Sequence, residues 1–180
     1  MLSLEKYDHI LSISMSQRFL GREVSRTYVY LVDGLLIDTG LPKLGSGLVE
    51  VLGGREIRLI VNTYDNLESV GNNALLQRTF SIPIKAHKEA IERIKYPRRE
   101  GIVKRFLWGQ PLGSKVSKLK SIIRFKDYHF RVSGFKRTGP GFQTHPVAST
   151  QDSLLRQQRG PGRWFVGNGI EAEDSGDGDS

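Results

Sequence analysis

Residues 57–63, Ile-Arg-Leu-Ile-Val-Asn-Thr, are a short apolar run closed by a polar turn, and their flanks narrow the fold more than any composition figure. A run this short without polar alternation suits a strand buried on both faces, as parallel strands covered by helices are. A helical pattern precedes it in 41–54 (LPKLGSGLVEVLGG), with Leu44, Leu48, Val49 and Leu52 on one face and Gly53-Gly54 as the stop. Another follows in 69–80 (SVGNNALLQRTF), with Ser69 as its N-cap and Leu75, Leu76 and Phe80 toward a core. The strand IPIKAH (82–87) and the helix KEAIERIK (88–95) repeat the alternation. Strand, helix, strand, helix in this order calls for βαβ units and parallel pairing. Ahead of them HILSISM (9–15), TYVYLVD (27–33) and LLIDTG (35–40) read as strands. The last two are joined by Asp33-Gly34, a dipeptide suited to a tight hairpin. The expected fold class is α/β with a mixed sheet.

The pattern weakens beyond this point. Residues 96–121 carry Pro, Gly and many bases and read as a long surface excursion with one short helix. IIRFKDYHFRVSGF (122–135) reads as a hairpin turning at Lys126-Asp127, 136–162 as irregular, and RWFVGNGI (163–170) as a last strand. The final ten residues, EAEDSGDGDS, carry Glu171, Glu173, Asp174, Asp177 and Asp179 and no base. That composition predicts a disordered tail over 171–180 after a single domain over 1–170. The acidic end also means that the net charge of +8 understates how basic the rest is. With no cysteine, a disulfide framework, a thiolate nucleophile and a Cys-ligated zinc site are excluded. No window approaches the roughly 18 apolar residues of a membrane span, and charges stand where a signal peptide needs its apolar segment. The expectation is a cytoplasmic protein with no membrane partner.

The order of elements, with Asp38-Thr39-Gly40 and the loop VNTYDNLESVGNN (61–73), resembles the metallo-β-lactamase fold superfamily, an αββα sandwich. In that family an Asp-Thr-Gly follows an early strand, and a later strand runs into N-T-H-x-H-x-D-H-x-G-x-N at the head of a helix. Asn62-Thr63, Gly71 and Asn73 match both ends of the second motif. Between them the family's metal ligands are replaced: its first His falls on Tyr64, its second on Asn66, its Asp on Glu68 and its last His on Ser69. The family's P-G-H meets Pro140-Gly141-Phe142, and its Gly-Asp meets Gly167-Asn168. The family pattern runs on into a further strand and helix, so the resemblance implies a fold shortened at its C-terminus. A partner, a second copy of the chain or a diverged gene would each account for the sheet that such a shortening exposes.

The resemblance implies zinc or iron chemistry for the family. Those ions need imidazole nitrogens and carboxylates converging at about 2.0–2.2 Å, which Tyr, amide and hydroxyl groups do not supply. No catalytic, cofactor-binding or metal-ligating residue is therefore assigned, and the expectation is a non-catalytic scaffold or binding protein. A divergent hydrolase of the same superfamily with a rearranged site is the second reading. Asp65 and Glu68 with Asn62, Asn66 and Asn72 read either as a magnesium or calcium site or as a solvated loop capping its helix. Among the four His, His9 and His129 read as structural, His87 as a residue near a helix start, and His145 as a replacement for the missing P-G-H ligand only after a loop rearrangement. Asp38 reads as a structural acid beneath the loops. A third reading comes from residues 93–131. There Arg93, Lys95, Arg98, Arg99, Lys104, Arg105, Lys115, Lys118, Lys120, Arg124, Lys126 and Arg131 are interleaved with Tyr96, Phe106, Trp108, Phe125 and Tyr128. Bases with aromatics fit RNA or another acidic partner, while a solvated basic face over core aromatics is the plainer account.

Overall fold

Two-residue turns organise the first third of the chain in the computed structural model, which describes residues 1–119 and the strands 122–125, 128–132, 163–166 and 170–174. Strand β1 (Leu2–Tyr7) pairs antiparallel with β2 (Ile10–Phe19), and β2 with β3 (Arg22–Val32). The third turn, Asp33-Gly34, has φ of 47° and 97°. Left-handed backbone at both positions matches the natural twist of a hairpin and returns the chain as β4 (Leu35–Ile37), antiparallel to β3. The sequence pattern marks no strand over 2–7 and ends the next one at residue 15; the structure adds both stretches.

From β4 onward the pairing is parallel. A 3-10 turn (Pro42–Leu44) and helix α1 (Gly45–Leu52) lead to β5 (Leu59–Asn62) beside β4. Helices α2 (Leu67–Val70) and α3 (Asn73–Phe80) lead to β6 (Ile84–Ala86), then α4 (Ile91–Lys95) and α5 (Ile102–Trp108) to β7 (Ser117–Lys118). The seven strands lie in sequence order, β1 to β7, so antiparallel and parallel halves meet at β4. Every residue of β4 and β5 is buried, as the continuous apolar run in 57–63 predicts for strands covered on both faces.

One face of the sheet carries the main core. Ile13 and Met15 of β2, Val29 and Leu31 of β3, Leu36, Ile60 and Ile84 meet Leu48 and Leu52 of α1 and Leu76 of α3. The alternation of strand side chains puts the first seven on one side, and the spacing of Leu48 and Leu52 puts both on one helical stripe. Removing a fully buried leucine such as Leu76 costs about 2–5 kcal/mol. Leu44, Val49 and Phe80 are partly buried against this core, and Leu75 is half-buried.

The chain divides into two compact units, Met1–Leu119 and Lys120–Ser180, where the sequence alone suggested one domain over 1–170. In the second unit the described strands form an antiparallel sheet in the order β10 (Arg163–Val166), β11 (Ile170–Asp174), β9 (Tyr128–Val132), β8 (Ile122–Phe125). The β8–β9 pair closes with Phe125 opposite Tyr128, and Lys126-Asp127, where the sequence places the turn, lie outside the described residues. Residues 171–174, read above as the start of an acidic tail, belong to β11. Its register sets Glu173 opposite Arg163 and Glu171 opposite Arg131. Residues 175–180 lie outside the described residues.

Candidate functional site

Parallel strands in an open α/β sheet point their carboxyl ends at the place where ligands bind. Here those ends are Ile37, Asn62 and Ala86, followed by Asp38-Thr39-Gly40, by Thr63 to Ser69, and by His87. The two segments that resemble the family motifs therefore emerge side by side from β4 and β5.

Asp38 holds the two loops together. Its backbone is left-handed, with φ of 61°, a conformation that Asp tolerates better than most residues. Its N–H donates to the Val61 carbonyl (2.9 Å), while its carboxylate accepts from Thr63 N–H (2.8 Å) and from the Thr63 hydroxyl (2.5 Å). Burial pushes the Asp38 carboxyl up to about 7, against the pull of Thr63 and Ser69, which favour the charged form. Tyr64 is raised as well, by burial first and by the Asp38 charge second.

Behind Asp38 lies a buried polar knot. Asn62 donates to the Ser69 carbonyl (2.9 Å) and to Asn73 Oδ1 (3.1 Å), and Asn73 donates back to Asn62 Oδ1 (2.8 Å). The Thr39 hydroxyl has the Ser69 carbonyl at 3.1 Å and Asn73 Oδ1 at 3.0 Å, and it accepts from Asn72 N–H. Asn72 Nδ2 donates to the carbonyls of Thr39 (2.6 Å) and Leu41 (2.9 Å). Thr39, Asn62, Ser69, Asn72 and Asn73 are all buried, so each of these bonds prevents an unpaired polar group in a dry place. Gly71 completes the junction, because a Cβ there would stand 2.3 Å from the Gly40 carbonyl and 2.7 Å from that of Leu67. The ends of the loop that match the family motif are thus the parts that brace it.

The residues at the ligand positions are engaged differently. Asn66, not Ser69 as the sequence suggested, is the N-cap of α2: its Oδ1 accepts from Ser69 N–H at 3.0 Å. Ser69 is buried inside α2, and the helix expected over 69–80 is two helices broken at Gly71-Asn72. Asp65 pairs with Arg93 of α4. Glu68 is raised above the usual carboxylate range by burial, with Lys104 of α5 pulling the other way. His87 follows β6, and its carbonyl accepts from Ala90 N–H at 2.9 Å. His9 sits in the β1–β2 turn beside Asp8, at 2.8 Å. Among the described residues no three His, Cys, Asp or Glu side chains converge to hold a metal. His129 is described only as a backbone position in β9; Phe142, His145 and Asn168 lie outside the described residues.

The donor set of this loop does not fit zinc or iron. Neither Tyr64, Asn66, Glu68 nor Ser69 offers imidazole, Asn66 Oδ1 is committed to the cap, and the Asp65 carboxylate is committed to Arg93. Sequence reasoning named Arg93 and Lys104 only as members of a basic run. Nothing in the sequence signals that Arg93 pairs with Asp65, 28 positions earlier, or that the Lys104 charge acts on Glu68, 36 positions earlier.

No protein-family model matches the sequence, and no curated protein matches it. Solved structures do. A metallo-β-lactamase from Pontibacter korlensis superposes with a TM-score of 0.52 at 13% identity, over 73% of this chain and 60% of that one. One from Cronobacter sakazakii, described by its HARLDQ motif, gives 0.51 at 17% identity over 69% and 51%. The DIM-1 metallo-β-lactamase gives 0.50 at 16% identity over 72% and 58%. The chain has the metallo-β-lactamase fold, as the two motif ends and the mixed sheet led us to expect. It spans about half to three fifths of the length of these structures.

Proposed function

We propose that this chain is a binding protein on a metallo-β-lactamase scaffold, without the family's metal-dependent hydrolysis. The observation that carries the reading is the use made of the loop 64–69. Its Asn66 caps a helix, its Asp65 pairs with a base, and its Ser69 backbone joins the buried knot. Metal-assisted hydrolysis needs an ion to acidify a bound water toward a pKa near 7. Asp38 and Glu68 alone supply no such activation, since both are carboxyls shifted toward their neutral forms. The HARLDQ motif of the Cronobacter structure still offers a His and an Asp. Written beneath it, Tyr64-Asp65-Asn66-Leu67-Glu68-Ser69 shares only Leu67.

The test is expression of the full chain in medium supplemented with zinc and iron, followed by elemental analysis and assay against β-lactam, thioester and phosphodiester substrates. Sub-stoichiometric metal and no turnover are expected. Turnover that a chelator abolishes would establish the divergent-hydrolase reading instead.

A further inference from the structure

A second concave site lies away from the loop ends, between α3, the end of α4 and the segment 113–116. It is a groove of about 500 Å³ whose lining includes Gln77, Arg78, Lys95, Tyr96, Gly113 and Lys115. Its wall is built rather than incidental. Gln77 clamps Lys115 from both sides, accepting from its N–H at 2.9 Å and donating to its carbonyl at 2.8 Å. Gly113 lets the segment close on α4, because a Cβ there would stand 2.3 Å from the Lys95 carbonyl.

Two observations point to a ligand. Arg78, Lys95 and Lys115 bring three positive charges to one groove, and among the described residues no carboxylate pairs with Arg78 or Lys115. Among the described residues Lys95 pairs only with Glu92, at 3.5 Å on an exposed helix face, a contact worth little in water. Arg78 and Lys95 stand in last helical turns, where a base also offsets the helix dipole, but Lys115 has no such role. Tyr96 on the rim is 75% exposed, which leaves it accessible to a flat ligand beside these charges.

We propose that this groove binds a nucleoside phosphate, its phosphate held by Arg78, Lys95 and Lys115 and its base stacked on Tyr96. Phosphate oxygens are acceptors for all three donors, and a base on an aromatic face is the sequence-tolerant contact used for single nucleotides and single strands. The inference does not rest on the reading of the metal loops, because a metal-dependent hydrolase with this backbone would carry the same groove.

The test is titration of the full chain with inorganic phosphate, AMP and a labelled single-stranded oligoadenylate, with circular dichroism confirming that each variant folds. AMP is expected to bind more tightly than phosphate. R78A and K115A are each expected to weaken both roughly tenfold, the scale of one hydrogen bond to a charged group. Y96A is expected to weaken AMP about tenfold and leave phosphate unchanged. The R78A/K115A double variant is expected to lose both ligands, whereas the charge-matched K6A/R18A variant is expected to bind as the parent does. An oligoadenylate bound more tightly than AMP, and lost in the same variants, assigns a strand as the source; one bound no more tightly assigns the free nucleotide. Absence of phosphate and AMP binding at millimolar concentration, or equal loss in K6A/R18A, would overturn the proposal.

Discussion

Replacing Asp38 by Asn should stabilise the first unit at alkaline pH and do almost nothing in acid. The carboxyl is raised from 3.8 to about 7 by burial, so the folded chain keeps a proton that the unfolded chain loses between those values. Over that window the native state binds more protons, and stability falls as pH rises. Above about pH 7 both states are ionised and the contribution levels off. Each pH unit of displacement corresponds to 1.36 kcal/mol, so the buried charge costs on the order of 4 kcal/mol at about pH 8. An amide at position 38 removes that cost. Its Oδ1 still accepts from Thr63 N–H, the Thr63 hydroxyl can turn to accept from Nδ2, and Asn tolerates the left-handed φ of 61°. Urea titrations should be followed by Trp108 fluorescence in a Trp164→Phe background, so that only the first unit reports. The expected gain for Asp38→Asn is about 2–4 kcal/mol at about pH 8, shrinking to within about 1 kcal/mol near pH 4.5. Glu68→Gln should flatten the profile in the same direction, since Glu68 is raised too. Identical pH profiles for Asp38→Asn and the parent would refute the reasoning.

Four further substitutions probe the brace around the loop. Asn66→Ala removes the side chain that caps α2 and should cost about 1 kcal/mol in urea unfolding. Gly71→Ala forces a Cβ to within 2.3 Å of the Gly40 carbonyl and should destabilise by roughly 3 kcal/mol or more, seen as a large drop in Tm. Asn73→Leu leaves Asn62 Oδ1 without its buried donor and should cost about 2–3 kcal/mol; Asn62→Leu combined with it should cost less than the sum of the two.

Much of this architecture can be read before any coordinates. The Asp33-Gly34 hairpin, the doubly buried β5 and the strand–helix alternation follow from local patterns, and the two motif ends mark where β4 and β5 give out. What the pattern does not carry depends on contacts between distant residues. Ser69 and Asn66 are equally good caps by composition. The choice falls to Asn66 because Ser69 is drawn under the Asp-Thr-Gly turn, where its carbonyl meets Thr39 and Asn62. Strand β1 escapes notice because all but its first residue are exposed, leaving no buried periodicity. The pairing of Asp65 with Arg93 and the clamp of Gln77 on Lys115 join residues 28 and 38 positions apart, which no local rule connects.

The most direct test of the central claim is a calorimetric titration of the chelator-treated full chain with zinc. If the residues at positions 64, 66, 68 and 69 hold the loop rather than an ion, no saturable binding at the loop is expected, and Tyr64→Ala and Glu68→Ala should leave the titration unchanged. Stoichiometric zinc bound at micromolar affinity or tighter, and weakened by either substitution, would contradict the account.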